Sequence, residues 1–468
     1  MPRKETFAAA FEFLFFIFIV SLFFKLGANT LEHTATRISY VVLILFGLLS
    51  LSIKKRFSEL SKSPAVFFFF SFLGFEIVRS LWAFYALKVE GLQDSLSLPL
   101  HLYLFSPLSW LLYFGFFLVG FLFLKQRKET SRLLWLLSWC GFVLAIAAIP
   151  PLLTRGVGQP GYLGPHEEVS FFPSFVYFHS FVKKYLISQY AHPNYVGDII
   201  ALGFFSALGL FFYSLQRYLG ALKSGKDYER PPISSLALWG MMTGATALAV
   251  ILLFSRGTMI AFSLVFLISL FVTSAKFFSR AQIGLTLIAF MVVAGFLFWA
   301  ANLQKTWKEV ASSKEEIAKA EVQSSFGTNR EGAKRALATY KAFPMWGVGT
   351  QGYAAIAKKF ATPGSNKLYV MSNLQAHCHY LQVLAEQGVG AYLYFLFLIS
   401  YFFEVGIGLF KSKSRFQFLA ALSLSMPVLM ILIHAAIKPV MEYFAIATPV
   451  YLFMGLSLAI LRSDLARS

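Results

Sequence analysis

Long runs of apolar residues recur along the whole chain, separated by shorter segments that hold most of the charges. Each run is close to the ~20 residues that an α-helix needs to cross a bilayer. The pattern therefore predicts an all-α polytopic membrane protein with about 12 transmembrane helices. The predicted helices are 7–26, 38–53, 64–84, 106–124, 133–153, 193–216, 236–255, 258–275, 282–301, 389–410, 416–435 and 443–461.

The composition agrees with this interpretation, because 57% of the residues are hydrophobic and only 13% are charged. Soluble domains carry roughly 25% charged residues, so this chain has too few to cover a surface in water. No P-loop, dinucleotide-binding glycine motif or zinc-ligand spacing is present. The two cysteines, Cys140 and Cys378, match no metal-ligand spacing and leave the question of a disulfide open.

The formal net charge of +19 suggests nucleic acid as a partner, but the distribution of the charges argues for a membrane instead. Every second connection between predicted helices is basic, which is the positive-inside pattern. Both termini are then cytoplasmic in a multi-pass membrane protein, and the first segment is a retained helix. The basic residues of the cytoplasmic connections are Lys54, Lys55, Arg56, Lys62, Lys125, Arg127, Lys128, Arg132, Arg217, Lys223, Lys226, Arg230, Lys276, Arg280, Lys411, Lys413 and Arg415. The four short outer connections hold one each, namely Arg37, Lys88, Arg256 and Lys438.

Two outer loops are long, and long loops in a compact architecture are usually functional or disordered. The first, 154–192, is rich in Gly, Pro and aromatic residues, and either packs on the membrane surface or lines a lipid-substrate cavity. The second long outer loop divides the chain into three predicted regions. These are transmembrane helices in 1–301, a periplasmic loop with amphipathic helices in 302–388, and transmembrane helices in 389–468.

Within the second loop, Thr328 or Asn329 is placed to cap a helix that runs to about Phe343 and ends at Pro344. This helix carries the basic residues Arg330, Lys334, Arg335 and Lys341. It is suited to lie on the outer leaflet, although a solvated face fits the same pattern.

Two histidines near the start of the tenth helix are candidates for proton transfer. His377 and His379 would point about 200° apart in a helix, so they would not act on one face. Histidine titrates near neutral pH and can take a proton from a sugar hydroxyl. The alternative is an interfacial histidine whose ring is satisfied by backbone carbonyl groups.

Arg256 is the only charge between Arg230 and Lys276, in a turn between two apolar helices. An arginine near hydrocarbon is a functional candidate, and its guanidinium suits a diphosphate. Snorkelling to lipid headgroups is the alternative.

Lys184 lies at the outer interface shortly before the sixth predicted helix, whose first turn is formed by His192, Pro193 and Asn194, with Asp198 just inside the membrane. Glu76 and Arg79 on the third helix have the i, i+3 spacing of an ion pair, for which a structural role is expected.

The segments FSRGTMIAF, NREGAKRALATYKAFPMWGVGTQGY and HCHYLQVLAEQGVGAYLYF together resemble the O-antigen ligase/polymerase superfamily. Its members show an arginine at a short outer turn, a long outer loop with an Arg-led helix ending in P-x-x-G-x-G, and a His-Asn before a leucine-rich helix. The matching residues here are Arg256, Arg330, Pro344, Gly347, Gly349, His377, Leu381, Glu386 and Gly388. The order and topology agree over the second half of the chain, and the first half agrees only through topology and HPN at 192–194.

The resemblance implies a GT-C-like membrane glycosyltransferase that transfers a glycan from undecaprenyl diphosphate to an acceptor at the periplasmic face, with inversion and without a metal or other cofactor. It implies His377 as the catalytic base and Arg256, Lys184 and Arg330 as ligands of the diphosphate. His379, His192, Asn194 and Glu386 are expected to support them. Membrane lipids surround the protein, and no nucleic acid is involved.

Two departures from the family pattern stand out. Cys378 occupies the usual Asn position, and the arginine expected shortly before His192 is missing, which leaves Lys184 as the nearest basic residue.

Several activities share this pattern. We favour an O-antigen ligase, whose acceptor is lipid A–core. A polymerase of O-antigen or exopolysaccharide adds the glycan to another lipid-linked unit, and a protein O-oligosaccharyltransferase adds it to Ser or Thr. A transporter of lipid-linked glycans would also have many helices, but transporters often show related halves, which this sequence lacks. A scaffold for an assembly complex is the remaining interpretation.

Overall fold

A computed structural model describes residues 62–89, 100–123, 127–154, 193–225, 231–252, 256–277, 330–350, 352–360, 376–438, 440–442 and 444–465. Regular structure in these ranges is helical, as the hydrophobic pattern predicts. The helices are α1 Pro64–Val89, α2 Leu100–Phe123, α3 Arg127–Thr154, α4 Pro193–Ser224, α5 Ile233–Leu252, α6 Arg256–Phe277, α7 330–342, α8 Gly352–Ile356, α9 His379–Gln387, α10 Gly390–Lys411, α11 Arg415–Ala435 and α12 Phe444–Leu465.

The chain is an all-α polytopic membrane protein. Eight helices within the described residues are long and apolar enough to cross a membrane, and α2 adds an apolar stretch over Trp110–Phe121. These nine elements correspond to nine of the predicted helices, most of them longer by a few residues at one or both ends. The predicted helices 7–26, 38–53 and 282–301 lie outside the described residues, so the total of 12 stays a prediction.

Helices α12 and α4 lie at the centre of the packing. Helix α12 contacts α2, α10 and α11, while α4 contacts α3, α5 and α11. Glycines let the backbones approach closely: a Cβ on Gly455 would collide with the carbonyl of Phe117, and one on Gly203 would lie 2.5 Å from the Cα of Gly141. Small residues at helix contacts are typical of membrane proteins, because apolar lipid gives little hydrophobic drive for helices to associate.

A polar cluster fixes the first turn of α1 against two later helices. The Glu404 carboxylate on α10 accepts hydrogen bonds from the Ser63 hydroxyl at 2.8 Å and the Ala65 N–H at 2.8 Å. Arg462 of α12 donates to the same carboxylate at 2.7 Å. A carboxylate at a helix start satisfies backbone N–H groups that have no partner within the helix.

A second, smaller core lies in the long loop between α6 and α10. It joins α7, α8 and α9 through Ala336, Tyr353, Ile356 and Ala385. The Tyr353 hydroxyl donates to the carbonyl of Gly332 at 3.0 Å and so fixes α8 against α7. The helix predicted up to Phe343 is confirmed as α7 over residues 330–342, whereas its predicted caps, Thr328 and Asn329, lie outside the described residues.

We expect Gly203→Val to destabilise the fold, because its side chain would enter the backbone of α3 at Gly141. Overpacking costs about 1–3 kcal/mol or more when backbone must move. Gly220→Val is the matched control, since no atom lies within 4 Å of a Cβ placed there. Thermal unfolding of the detergent-purified variants, monitored by size-exclusion chromatography, measures the difference in stability between them. Equal loss for both variants would contradict the close packing of α3 and α4.

Candidate active site

The segment that follows α7 is bonded through its backbone to the end of α9. The Val348 N–H donates to the carbonyl of Ala385 at 3.1 Å, and the Gly349 N–H donates to that of Glu386 at 2.9 Å. The Val389 N–H donates back to the carbonyl of Met345 at 3.2 Å. The P-x-x-G-x-G segment and the break between α9 and α10 therefore form one unit, which we call the clasp (residues 344–349 and 385–389).

Two glycines make the clasp possible. Gly347 and Gly388 have φ angles of 62° and 57°, in the left-handed region that favours glycine. A Cβ on Gly388 would lie 2.6 Å from the backbone nitrogen of Gly347, and one on Gly347 would collide with the carbonyl of Glu386. The left-handed backbone conformation and the close contact between Gly347 and Gly388 both exclude larger residues. This explains physically why the sequence pattern has glycine at these two positions.

Arg79 of α1 holds the clasp from the side of the bundle. Its Nη1 donates to the carbonyl of Glu386 at 3.0 Å, and its Nη2 pairs with the Glu76 carboxylate at 2.6 Å. Both side chains are fully buried. The ring of Trp346 stacks between Phe75 and Trp82, with centroids 5.5 and 5.2 Å away. The predicted Glu76–Arg79 pair is present and connects α1 to the loop region.

His377 lies just before α9, with a φ of 55° that is unusual for a residue with a side chain. It is half-buried, and burial lowers its pKa from 6.5 to about 4, helped by the charges of Lys438 and Arg335. The imidazole is therefore neutral at neutral pH, as a proton acceptor must be.

A hydrogen-bonded chain supports the backbone that presents His377. The Ala376 N–H donates to the side-chain oxygen of Gln382 at 3.2 Å, and the Gln382 amide donates to the Glu386 carboxylate at 3.2 Å. Gln382 and Glu386 are both buried and lie one turn apart on α9. Glu386 thus has the geometry of a supporting residue.

Two cations whose charge acts on His377, Arg335 and Lys438, were listed in the sequence analysis as basic residues but not selected for the site. Helix α7 exposes Arg330, Lys334 and Lys341, but it buries Arg335 to 1% exposure. Arg335 lies on the same face as the buried Thr339, one turn later. Helical spacing against the apolar positions of α7 would have identified it. Lys438, three residues after the end of α11, is half-buried, and burial lowers its pKa.

The side chain of His379 is directed into the helix bundle and not toward His377. Its Nε2 lies 3.3 Å from the hydroxyl of Tyr394, which accepts a hydrogen bond from the Tyr451 hydroxyl at 3.2 Å. Burial lowers the pKa of His379 to about 4. It begins α9, which is separate from α10, whereas His377 precedes the helix. The structure thus places His379 as a buried anchor of α9 on the bundle.

A buried Asp–His pair lies close by. The Nδ1 of His434 on α11 lies 2.9 and 3.0 Å from the two carboxylate oxygens of Asp198 on α4. The sequence analysis missed His434, although an ionisable residue in an apolar run is a functional candidate by default.

Helix α11 joins this pair to the surroundings of His377. The Tyr380 hydroxyl donates to the carbonyl of Leu432 at 2.7 Å, and the Lys438 N–H donates to that of His434 at 2.9 Å. Gly257, the second residue of α6, packs against the His434 ring. The start of α6 at Arg256 is thereby brought to the same region.

Other predicted site residues are described only in part. Lys184 and His192 lie outside the described residues. Asn194 lies in the first turn of α4 and Arg256 begins α6, but their side chains are also outside the description. Arg330 is the first described residue of α7, and its side chain is exposed. Both cysteines are free, and the described residues hold no cluster of potential metal ligands.

Residues 241–396 match the family model for O-antigen ligase. This segment is 156 of the 468 residues, one third of the chain, and it includes Arg256, Arg330, His377 and Glu386. The resemblance predicted from the sequence is confirmed over this part of the chain. None of the curated proteins compared with the chain matches it.

We expect Arg79→Met to lower the stability of the loop region, because Glu76 would lose its buried cation and Glu386 a donor to its carbonyl. Breaking one side of a buried pair costs about 3–5 kcal/mol. The double variant Glu76→Gln/Arg79→Met should recover part of the loss, since neither residue of the pair is then charged. Lys334→Met, at an exposed site on α7, is the control. Thermal unfolding followed by tryptophan fluorescence tests this, and an Arg79→Met curve that coincides with that of the unaltered protein would contradict it.

Proposed function

We propose that the protein is an O-antigen ligase-type glycosyltransferase. It transfers a glycan from undecaprenyl diphosphate to a lipid A–core acceptor at the periplasmic face of the bacterial inner membrane. One observation carries the proposal: a neutral, half-buried His377 lies beside two cations, Arg335 and Lys438, within the segment that matches the O-antigen ligase model. The apolar helices of the chain, which are long enough to cross a membrane, support a lipid-linked donor.

His377 acts as the general base. Its neutral imidazole accepts the proton of the acceptor hydroxyl while the hydroxyl oxygen forms a bond to the anomeric carbon of the glycan. The bond from that carbon to the diphosphate oxygen breaks, and its electron pair leaves with the undecaprenyl diphosphate. Attack opposite the leaving group inverts the anomeric configuration. A positioned base of this kind contributes roughly 100- to 10,000-fold to the rate.

The leaving diphosphate gains negative charge as the bond breaks, so fixed positive charge stabilises the transition state. Among the described residues, Arg335 and Lys438 are two cations whose charge reaches His377. Arg256, Lys184 and Arg330 remain the diphosphate ligands proposed from the sequence, with Arg256 held at the start of α6. Asn194 and His192 are proposed to support them at the start of α4. His379 and Glu386 hold α9, the helix that begins two residues after His377.

The same cations couple donor binding to the strength of the base. Burial, and after it the charges of Lys438 and Arg335, lower the pKa of His377 in the free protein. A bound diphosphate brings negative charge that offsets them and raises this pKa again. His377 then becomes a stronger base when the donor is in place, which limits proton abstraction in its absence.

A polymerase would use the same base and the same cations with a different acceptor. The matching family model supports the superfamily to which both activities belong, and the lipid A–core acceptor is our choice between them.

We expect His377→Ala to abolish glycan transfer without loss of folding, because the half-buried side chain contributes the base and not the core. Lys341→Ala, at an exposed position on α7, is the control and should transfer at the normal rate. Transfer is measured with purified protein, lipid-linked donor and lipid A–core acceptor. Size-exclusion profiles verify folding. Normal transfer by His377→Ala would remove the general-base role.

A further inference from the structure

The Asp198–His434 pair has no role in the reaction described above, yet it is costly to bury. Both side chains have 0% exposure. Asp198 lies on α4 and His434 on α11, and the two residues are 236 positions apart in the chain. No local structure therefore enforces the contact. A carboxylate and an imidazole inside an apolar bundle are functional candidates, because a hydrophobic pair would pack at lower cost.

The geometry fixes the direction of the ring. With Nδ1 on the Asp198 carboxylate, Nδ1 carries a hydrogen and donates it, and the ring presents Nε2 on its other side. This Nε2 is fully buried and has no hydrogen-bond partner among the described residues. A buried polar atom of this kind requires explanation, and a bound ligand supplies one.

The ring edge formed by Nε2 and Cδ2 packs against the beginning of α6. A Cβ on Gly257 would lie 2.9 Å from it, so a side chain at this position would obstruct the ring. Helix α6 has 22 residues and begins at Arg256. The first N–H groups of a helix have no partner within it and favour an anion, most of all a phosphate.

We propose that His434, oriented by Asp198, is a further contact for the donor diphosphate at the start of α6. In the imidazolium form both ring nitrogens donate, Nδ1 to Asp198 and Nε2 to a phosphate oxygen. His434 is the binding residue and Asp198 a positioning residue. This inference rests on the proposed function, since the ligand is the diphosphate of the lipid-linked donor.

The test is the dissociation constant of undecaprenyl diphosphate with the full chain in detergent. We expect His434→Gln to weaken binding about tenfold or more, because it removes a charge-assisted hydrogen bond. Asp198→Asn should weaken it by a smaller factor. Ser425→Ala, in the middle of α11, is the control and should bind normally. Undecaprenol, which has no phosphate, should bind equally well to all four proteins.

Each other outcome has a defined meaning. Unchanged diphosphate binding by His434→Gln, or an equal loss of diphosphate and undecaprenol binding, would overturn the inference, since the second result marks a structural role. An equal dependence of phosphatidylglycerol binding on His434 would assign the site to a lipid headgroup and also overturn it. If the unaltered protein binds the diphosphate no better than undecaprenol, the proposed function itself fails.

Discussion

The carbonyl group of Glu386 lies at the point on which the rest of the site depends. The helical structure is interrupted just after this residue, between α9 and α10. A carbonyl group left without a hydrogen-bond partner in apolar surroundings is costly. Gly349 satisfies it from the loop at 2.9 Å, and Arg79 satisfies it from the bundle at 3.0 Å. The buried charge of Arg79 in turn requires Glu76. The backbone of the clasp, and with it the direction of α9 and His377, follows from meeting these requirements together.

Two histidines in this region have opposite environments. His377 lies near Arg335 and Lys438, which favour its neutral form, and it is suited to accept a proton. His434 lies on the Asp198 carboxylate, which suits it to donate a hydrogen bond from its far nitrogen. Separate environments for groups of one chemical type are a general means of assigning an acceptor and a donor within one site. Helix α11 joins the two, because Lys438 follows His434 by one turn.

The sequence was sufficient for features that depend on local patterns. Hydrophobic runs predicted the nine described apolar helices, and the family-like sequence pattern included Gly347 and Gly388, whose φ angles are positive. Contacts between distant segments were not accessible: Arg79 and Glu386 are 307 positions apart, and no periodicity links them. Arg335 was passed over for Arg330, because the family pattern and not the buried face of α7 guided the choice. His434 was missed since its partner, Asp198, lies on another helix.

The most direct test of the account mixes the purified protein in detergent with an undecaprenyl-diphosphate-linked glycan, with and without lipid A–core. Gel mobility of the acceptor and release of undecaprenyl diphosphate are followed together. The account predicts that the acceptor gains the glycan and that undecaprenyl diphosphate is released only when the acceptor is present. Growth of the donor into longer chains without acceptor would identify a polymerase instead. If none of several donors reacts, the result would contradict the interpretation as an enzyme and favour a transporter.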